Sequence, residues 1–401
     1  MTKVRPLFLT KYTAVTALGH GLEAQYQALC ERRSGLRPCD FENVDLDMSI
    51  GRVEQVESKP FPTDFELFDC RNNRLALLGL QQDGFQEAVT AARAWYGSHR
   101  IAVIIGTSVS GILETERAYR HRHPETGALS ERFCSRYRFT HNTFSVGHFV
   151  RAYLGLTGPA MVISTACSSS AKVFASASRW ISAGLCDAAV VGGVDSLCLT
   201  TLCGFSSLDL VSKDPCRPCA VDRDGLSIGE AAGFALIEKT MKRATKGSVA
   251  FLGSGESCDA YHMSHPHPMG KGAILAIQGA LRSANLQARD IDYIQLHGTA
   301  TKANDHVEDK AVSETFGSAV PCSSTKGWTG HTLGAAGAVG SILASLCITR
   351  GLLPGTINTH TVDPQFSSYV LLETQTRPVK TILSNFFGFG GNNCSLIFGS
   401  V

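Results

Sequence analysis

Charge is scarce in this 401-residue chain: Asp, Glu, Lys and Arg make up 18% of it, and the two signs nearly cancel at a net +2. Such a balance leaves no electrostatic footprint for nucleic acid. No apolar run approaches the ~20 residues a membrane-spanning helix needs, so no membrane partner is expected. The stretch 1–10 has basic residues but only a short apolar run and no convincing cleavage site, so it does not read as a secretory signal. A disulfide scaffold is missing as well. The 14 cysteines are spread over a chain far longer than a small stapled domain, which points to a reducing compartment and a cytoplasmic location. Cys216-Arg217-Pro218-Cys219 has the spacing of half a zinc site, and no second pair completes it. His262, His265 and His267 fall in a segment broken by Pro266 and Pro268. No metal is expected at either place.

Hydrophobic residues are plentiful at 44%, enough for a large core, and the length would ordinarily make two or three domains. The pattern is α/β. Arg5 to Thr10, Ile101 to Gly106, Ala160 to Thr165 and Ala188 to Gly193 read as buried strands, with helices over Phe85 to Tyr96 and Ser168 to Ala183. After Gly247 the pattern restarts: a strand Val249 to Gly253, a helix Gly272 to Ala284, a strand Asp292 to His297 and a helix Asp305 to Phe316. A small-residue helix follows from His331, then strands near Val370 to Leu372 and Cys394 to Phe398. Two similar halves, 1–248 and 249–401, each with a central helix rich in Ala, Gly and Ser, point to an internal duplication. Glu114 to Ser145, dense in Arg, His and Thr, reads as an inserted cap.

One cysteine stands apart. Cys167 lies in Ser164-Thr165-Ala166-Cys167-Ser168-Ser169-Ser170, between the apolar run Met161 to Ile163 and the small-residue stretch Ala171 to Ala183. A thiol at the start of a helix faces unpaired N–H groups and the positive end of the helix dipole, which favour thiolate. Cys186, Cys198, Cys203 and Cys347 sit in apolar or small-residue segments and read as buried hydrophobes. Two histidine segments accompany Cys167. An alternating strand delivers His297 into Gly298-Thr299-Ala300-Thr301, and Ser323-Ser324-Thr325-Lys326-Gly327-Trp328-Thr329-Gly330 leads to His331.

In these segments the chain resembles the β-ketoacyl-acyl-carrier-protein synthases, condensing enzymes with a Cys-His-His site, and it does so over nearly all its length. Arg217-Pro218, Asp222-Arg223-Asp224-Gly225, Gly229-Glu230, Asp259-Ala260-Tyr261-His262 and Asn385-Phe386-Phe387-Gly388-Phe389-Gly390-Gly391-Asn392-Asn393 add to the match in the family's order. The resemblance implies a thiolase-like fold, two halves packed as five layers αβαβα. It implies a decarboxylative Claisen condensation of a Cys-bound acyl chain with a malonyl thioester. Cys167 would be the nucleophile, and His297 and His331 would stabilise the enolate. Lys326 would be a supporting charge, and the backbone N–H groups of Cys167 and Phe389 an oxyanion hole, with Phe389 as a gate. No cofactor is implied beyond the phosphopantetheine arm of an acyl carrier protein, which Thr299 and Thr301 would hold. Val109 and Phe205 would line the acyl pocket, and Arg71 and Arg74 would dock the acidic carrier, with Arg132, Arg136 and Arg138 next in line. The expected assembly is a homodimer, with a heterodimer of homologous subunits as the other arrangement.

Three departures set the chain apart from the family pattern. Gly340 stands where a buried glutamate is usual, which leaves Glu308 or Asp305 to serve Lys326. Thr10-Lys11-Tyr12 replaces a Thr-Gly turn, and Leu199-Thr200-Thr201-Leu202-Cys203 lacks the usual Pro and Gly. These point to a specialised synthase, and leave both fatty-acid and polyketide- or polyene-like synthesis as its pathway. A thiolase would need a second catalytic cysteine in the C-terminal Gly-rich loop, where Cys394 falls too late. The initiating synthase uses Cys-His-Asn, against His331 here. A chain-length-factor-like, non-catalytic partner of another ketosynthase usually lacks the cysteine that this chain has, but Gly340 in place of the glutamate keeps that reading as the alternative.

Overall fold

The computed structural model describes residues 6–42, 44–244 and 247–401. Five strands make a first sheet: β1 (Leu7–Thr16), β2 (Ile101–Gly106), β3 (Ala160–Ile163), β4 (Ala188–Asp195) and β5 (Ala231–Glu238), in the spatial order β3-β2-β4-β5-β1. A second sheet holds β6 (Val249–Cys258), β7 (Tyr293–Gln295), β8 (Pro321–Ser323), β9 (Tyr369–Val370), β10 (Thr381–Gly388) and β11 (Asn392–Ser400), in the order β6-β11-β10-β7-β8-β9. The two join where β1 pairs antiparallel with β6, Leu7 opposite Phe251 and Leu9 opposite Val249. Arg5, at the start of the first predicted strand, lies outside the described residues.

Burial explains the strand composition. β2 is parallel to both β3 and β4, with Val103 opposite Ala160 and Val190, and all six of its residues are buried. A strand covered on both faces needs a continuous apolar run, which Ile-Ala-Val-Ile-Ile-Gly supplies. Helices α1 (Arg71–Leu80), α2 (Phe85–Tyr96) and α3 (Phe144–Tyr153) cover the outer face of the first sheet. Between the sheets lie α4 (Ser169–Ser182) and, from the second half, a helix over Ala336–Arg350. Helices α5 (Lys271–Ala284) and α6 (Lys302–Phe316) cover the outer face of the second sheet; the Ala336–Arg350 helix is α7. The result is the five-layer αβαβα, thiolase-like arrangement that the sequence predicts.

The small residues of α4 and α7 have a steric cause. A Cβ added at Gly337 would lie 2.1 Å from the Ala171 nitrogen, so the two central helices meet at a distance only glycine allows. Leu333–Arg350 is the one stretch among the described residues long and apolar enough to cross a membrane, and it is buried between the sheets.

The predicted cap is a pair of helices, Ile112–Arg120 and Glu131–Thr140, on the first half. Cys203 is exposed and not buried as predicted, because its helix, Leu199–Ser207, turns only Leu202 fully inward. Of the last strands, the one near Val370 is confined to two residues. At the other end of the first sheet, β3 has a free edge, and its four residues Ala160 to Ile163 are only half-buried.

Candidate active site

Cys167 sits in a tight turn between β3 and α4. The helix begins at Ser169, one residue later than the sequence predicts, and Ala166 before the cysteine is left-handed at φ 51°. The serines around it brace this strained turn. Ser169 Oγ accepts from the Thr165 N–H at 2.9 Å and donates to the Ala166 carbonyl at 2.5 Å, while Ser168 Oγ donates to the Thr165 carbonyl at 2.9 Å.

His297 leaves the end of β7 on a loop held from behind by Glu308 of α6. The Glu308 carboxylate accepts from the His297 N–H at 2.8 Å and the Gly298 N–H at 2.7 Å, and Asn385 donates to it at 3.2 Å. Gly298 is required: at φ 43°, a Cβ there would meet Ser324 Cβ at 2.5 Å.

His331 does not head a helix directly. Its backbone is clamped between Ser227 and Gly229, the N–H donating to the Ser227 carbonyl at 2.7 Å and the carbonyl accepting from Gly229 at 2.9 Å. A short 3-10 turn, Leu333–Ala335, then leads into α7. A residue that the sequence reading missed, Asp195 at the end of β4, ties these loops together. It accepts from the Thr107 and Ser108 hydroxyls, each at 2.6 Å, from the Val109 N–H at 3.0 Å and from the Gly334 N–H at 2.6 Å. An acid closing a wholly apolar strand was its sequence signal.

These elements bring Cys167, His297, His331 and Lys326 together. Cys167 Sγ lies 3.0 Å from His331 Nε2, and the two imidazole rings stand edge-to-face with centroids 5.3 Å apart. Lys326 Nζ donates to the His297 carbonyl and lies 3.4 Å from His297 Nδ1. With a lysine donor at Nδ1, the His297 ring proton belongs on Nε2.

Burial governs the protonation states. It pushes both histidines well below the usual imidazole range, and the neighbouring Lys326 adds to this, so both are neutral at neutral pH. Burial also lowers Lys326, against the pull of Glu308, and raises Glu308 to about 7. The Cys167 thiol is pushed up to about 11 by burial, although Lys326 and the backbone N–H groups of Phe389 and Cys167 act the other way. That corrects the sequence expectation of a resting thiolate: desolvation outweighs the helix end. Cys167, His297 and His331 place three donor atoms within 4.8 Å of one another, a set that could hold a metal ion. The buried ammonium of Lys326 beside them opposes a cation there.

Of the other predicted residues, Phe389 and Phe205 stack over the site with centroids 5.6 Å apart. Both line a cavity that also exposes Cys167, His297, His331, Thr299 and Thr301. Thr299 and Thr301 join their hydroxyls at 2.9 Å on its wall. Val109 is not on that wall; it packs with Phe205 into the adjoining apolar cluster around Leu202 and Leu226.

Arg71 is misassigned by the sequence reading. It is 4% exposed, with its guanidinium bonded to buried Glu230 at 2.6 and 3.0 Å and to Glu57, so it cannot present charge to a partner. Arg74 is one-quarter exposed and clasps Asp69 at 2.5 and 2.9 Å. Gly340 faces Phe386 and Gln295 where the family pattern has its glutamate. Glu308, not Asp305, is the leading acid acting on Lys326.

Comparison with known proteins agrees with this geometry. Residues 10–243 match the β-ketoacyl synthase N-terminal domain, and residues 249–360 match the C-terminal domain. The chain is 32% identical to a mitochondrial 3-oxoacyl-[acyl-carrier-protein] synthase of Arabidopsis thaliana, over 99% of this chain and 94% of that protein. Among solved structures it is similar to a ketosynthase in complex with its chain length factor from Xenorhabdus doucetiae, at 37% identity and a TM-score of 0.89, covering 99% and 98% of the two chains. A β-ketoacyl synthase from Burkholderia phymatum matches at 27% identity and a TM-score of 0.88, over 99% and 100%. The chain belongs to the β-ketoacyl synthase family, the condensing enzymes that join a cysteine-held acyl group to a decarboxylated malonyl thioester in fatty-acid and polyketide synthesis.

Proposed function

We propose that this chain is the catalytic subunit of a two-chain ketosynthase, taking both substrates from the phosphopantetheine arm of an acyl carrier protein. The observation that carries the catalytic reading is the 3.0 Å contact between Cys167 Sγ and His331 Nε2, inside a buried set that includes His297 and Lys326.

The thiol proton passes to His331 Nε2 as Sγ attacks the acyl thioester, and goes on to the departing sulfur of the arm. The backbone N–H groups of Cys167 and Phe389 hold the acyl carbonyl oxygen. A malonyl thioester then occupies the cavity beside Thr299 and Thr301. As carbon dioxide leaves, the electron pair moves onto the thioester oxygen, which accepts from the His297 Nε2–H and from His331 once its single ring proton has shifted to Nε2. Neutral imidazoles suit that task, since they donate without placing a full charge beside Lys326. The enolate carbon attacks the acyl carbonyl and expels the Cys167 thiolate, which takes up from solvent the one proton that each turnover consumes.

The free edge of β3 supports a second chain. Met161, Val162 and Ile163 are half-buried on a strand with one unpaired side, which a homologous chain would complete. The solved relative from Xenorhabdus doucetiae, a ketosynthase in complex with its chain length factor, favours a non-identical partner over a second copy. Fourteen unpaired cysteines suit a reducing compartment.

Incubation with a radiolabelled acyl thioester, followed by peptide mapping, tests the catalytic reading: label belongs on Cys167 and is absent from Cys167→Ser. Label that persists in Cys167→Ser sinks it. Sedimentation tests the assembly, because a stable dimer of the pure chain would replace the two-chain arrangement with a homodimer.

A further inference from the structure

A groove on the second half of the molecule opens beside the reaction cavity and shares His265, Pro266 and Ala303 with its wall. Its floor and sides carry Lys302, His306 and Lys310 from successive turns of α6, facing His262 and His265 from the segment Asp259 to Gly270. The carboxylate in the groove, Asp363, is already held by Arg223 at 2.7 Å. Lys302 is exposed and Lys310 donates only to the Pro268 carbonyl, at 3.3 Å; neither pairs with a carboxylate among the described residues. Two lysines without a carboxylate partner in one groove are a local excess of positive charge.

The rim of the same groove is apolar. On its wall Tyr261 is 57% exposed and Val221 52%; on the same segment as Tyr261, Met269 is 60% exposed and Met263, at 78%, is the most exposed large hydrophobic side chain among the described residues. Exposed aromatic and methionine side chains around a charged centre are the composition of a protein-binding surface rather than of a small-anion pocket.

The segment that carries them is tied to the reaction centre. The Gly390 N–H donates to the Met263 carbonyl at 2.7 Å, the Asp259 N–H to the Gly391 carbonyl at 2.9 Å, and Asn393 to Asp259 at 2.8 Å. Gly390 and Gly391 directly follow Phe389, so a partner seated on this rim touches the loop that closes over Cys167.

We propose that the acidic carrier docks here, over Lys302 and Lys310, and not on the α1 arginines that the family resemblance implies. The inference rests on the ketosynthase reading and names the surface by which that partner is held. Arg71 is buried and Arg74 is engaged by Asp69, so α1 has no free charge to offer, whereas this groove has charge, an apolar rim and continuity with the cavity. A carrier seated on it lays its arm through the shared wall at His265 and Ala303, past Thr301 and Thr299, toward Cys167.

Affinity of a fluorescent carrier for Cys167→Ala protein, measured by anisotropy, tests docking without any chemistry. Lys302→Glu with Lys310→Glu should weaken binding about tenfold or more, with the difference shrinking as salt rises, as for charges at an interface rim. A carrier in which surface acids are changed to lysine should regain affinity for the reversed protein, an outcome that misfolding cannot produce. Unchanged affinity in the double variant overturns the proposal, and a loss on reversing Arg132, Arg136 and Arg138 instead would move the docking face to the cap. Absence of label on Cys167 in the acyl-transfer experiment would strike the ketosynthase reading itself, a separate failure from this one.

Discussion

Gly340 faces the ring of Phe386: a Cβ added at the glycine would lie 2.6 Å from Phe386 Cε1. The family's usual glutamate at this place has therefore been exchanged for an aromatic ring that fills the space, and Gln295, whose amide lies 3.2 Å from the same point, completes the polar side. The exchange is a packing solution, so restoring the acid alone cannot restore the pair with Lys326.

Gly340→Ala should accordingly destabilise the protein. Helix propensity favours alanine by about 1 kcal/mol inside α7, but overpacking against a buried ring costs about 1–3 kcal/mol. Denaturant unfolding of Gly340→Ala, and of the same change combined with Phe386→Leu, decides. The double variant should recover much of the loss, and a more stable single variant would show that Phe386 has room to move.

The thiol at Cys167 should alkylate as a buried thiol. Its value near 11 lies above the ordinary range, so the thiolate fraction is small at neutral pH and rises about tenfold per pH unit from 7 to 9. Iodoacetamide rates in the resting protein should follow that slope. Lys326→Met removes a charge that favours the thiolate and should slow alkylation at pH 8. A rate already level above pH 7 would mean that the helix end and lysine outweigh burial after all.

The histidines should divide the two half-reactions. His297→Ala should slow carbon dioxide release from a malonyl thioester by about 10²-fold or more, the scale of losing one oxyanion donor, with a smaller effect on acylation of Cys167. His331→Ala should impair both, because its Nε2 also touches Sγ. Equal rates of decarboxylation in wild type and both variants would remove the assignment.

Glu308 supports His297 through the backbone, accepting from two N–H groups, and acts on Lys326 through charge. Glu308→Gln cannot accept from both N–H groups with both oxygens and carries no charge. Decarboxylation should fall further than acylation in this variant. In wild type, decarboxylation should lose rate as pH drops through about 7, where the raised carboxyl takes up a proton, and the Gln variant should lack that step. A pH profile shared by both proteins would place the titration elsewhere.

Local patterns made much of this molecule legible. The helix Phe85–Tyr96 and the strand Ile101–Gly106 have the bounds that their periodicity predicts, and the cysteine and histidine motifs each carry their own turn geometry. What was not legible depends on partners far away in the chain. The spacing of Arg71 and Arg74 reads as an exposed basic face, yet Arg71 meets Glu230, 159 residues on, which turns it inward. Asp195 likewise gains its meaning only when Thr107, Ser108 and Gly334 converge on it. The state of the Cys167 thiol depends on how deeply the assembled loops bury it, which no motif records.

Arg71 therefore belongs to stability. Its partner Glu230 is wholly buried and also accepts from the Val53 N–H at 2.9 Å and the Leu197 N–H at 2.8 Å. Removing the guanidinium leaves that carboxylate uncompensated in the interior, a loss of about 3–5 kcal/mol for a broken buried pair. Arg71→Ala should lower the unfolding midpoint strongly, and Arg71→Lys should recover only part, because one ammonium cannot reproduce the two-pronged contact with Glu230. At a temperature where Arg71→Lys stays folded, its affinity for the carrier should equal that of wild type. A carrier-specific loss in this variant, with stability intact, would return the docking role to α1.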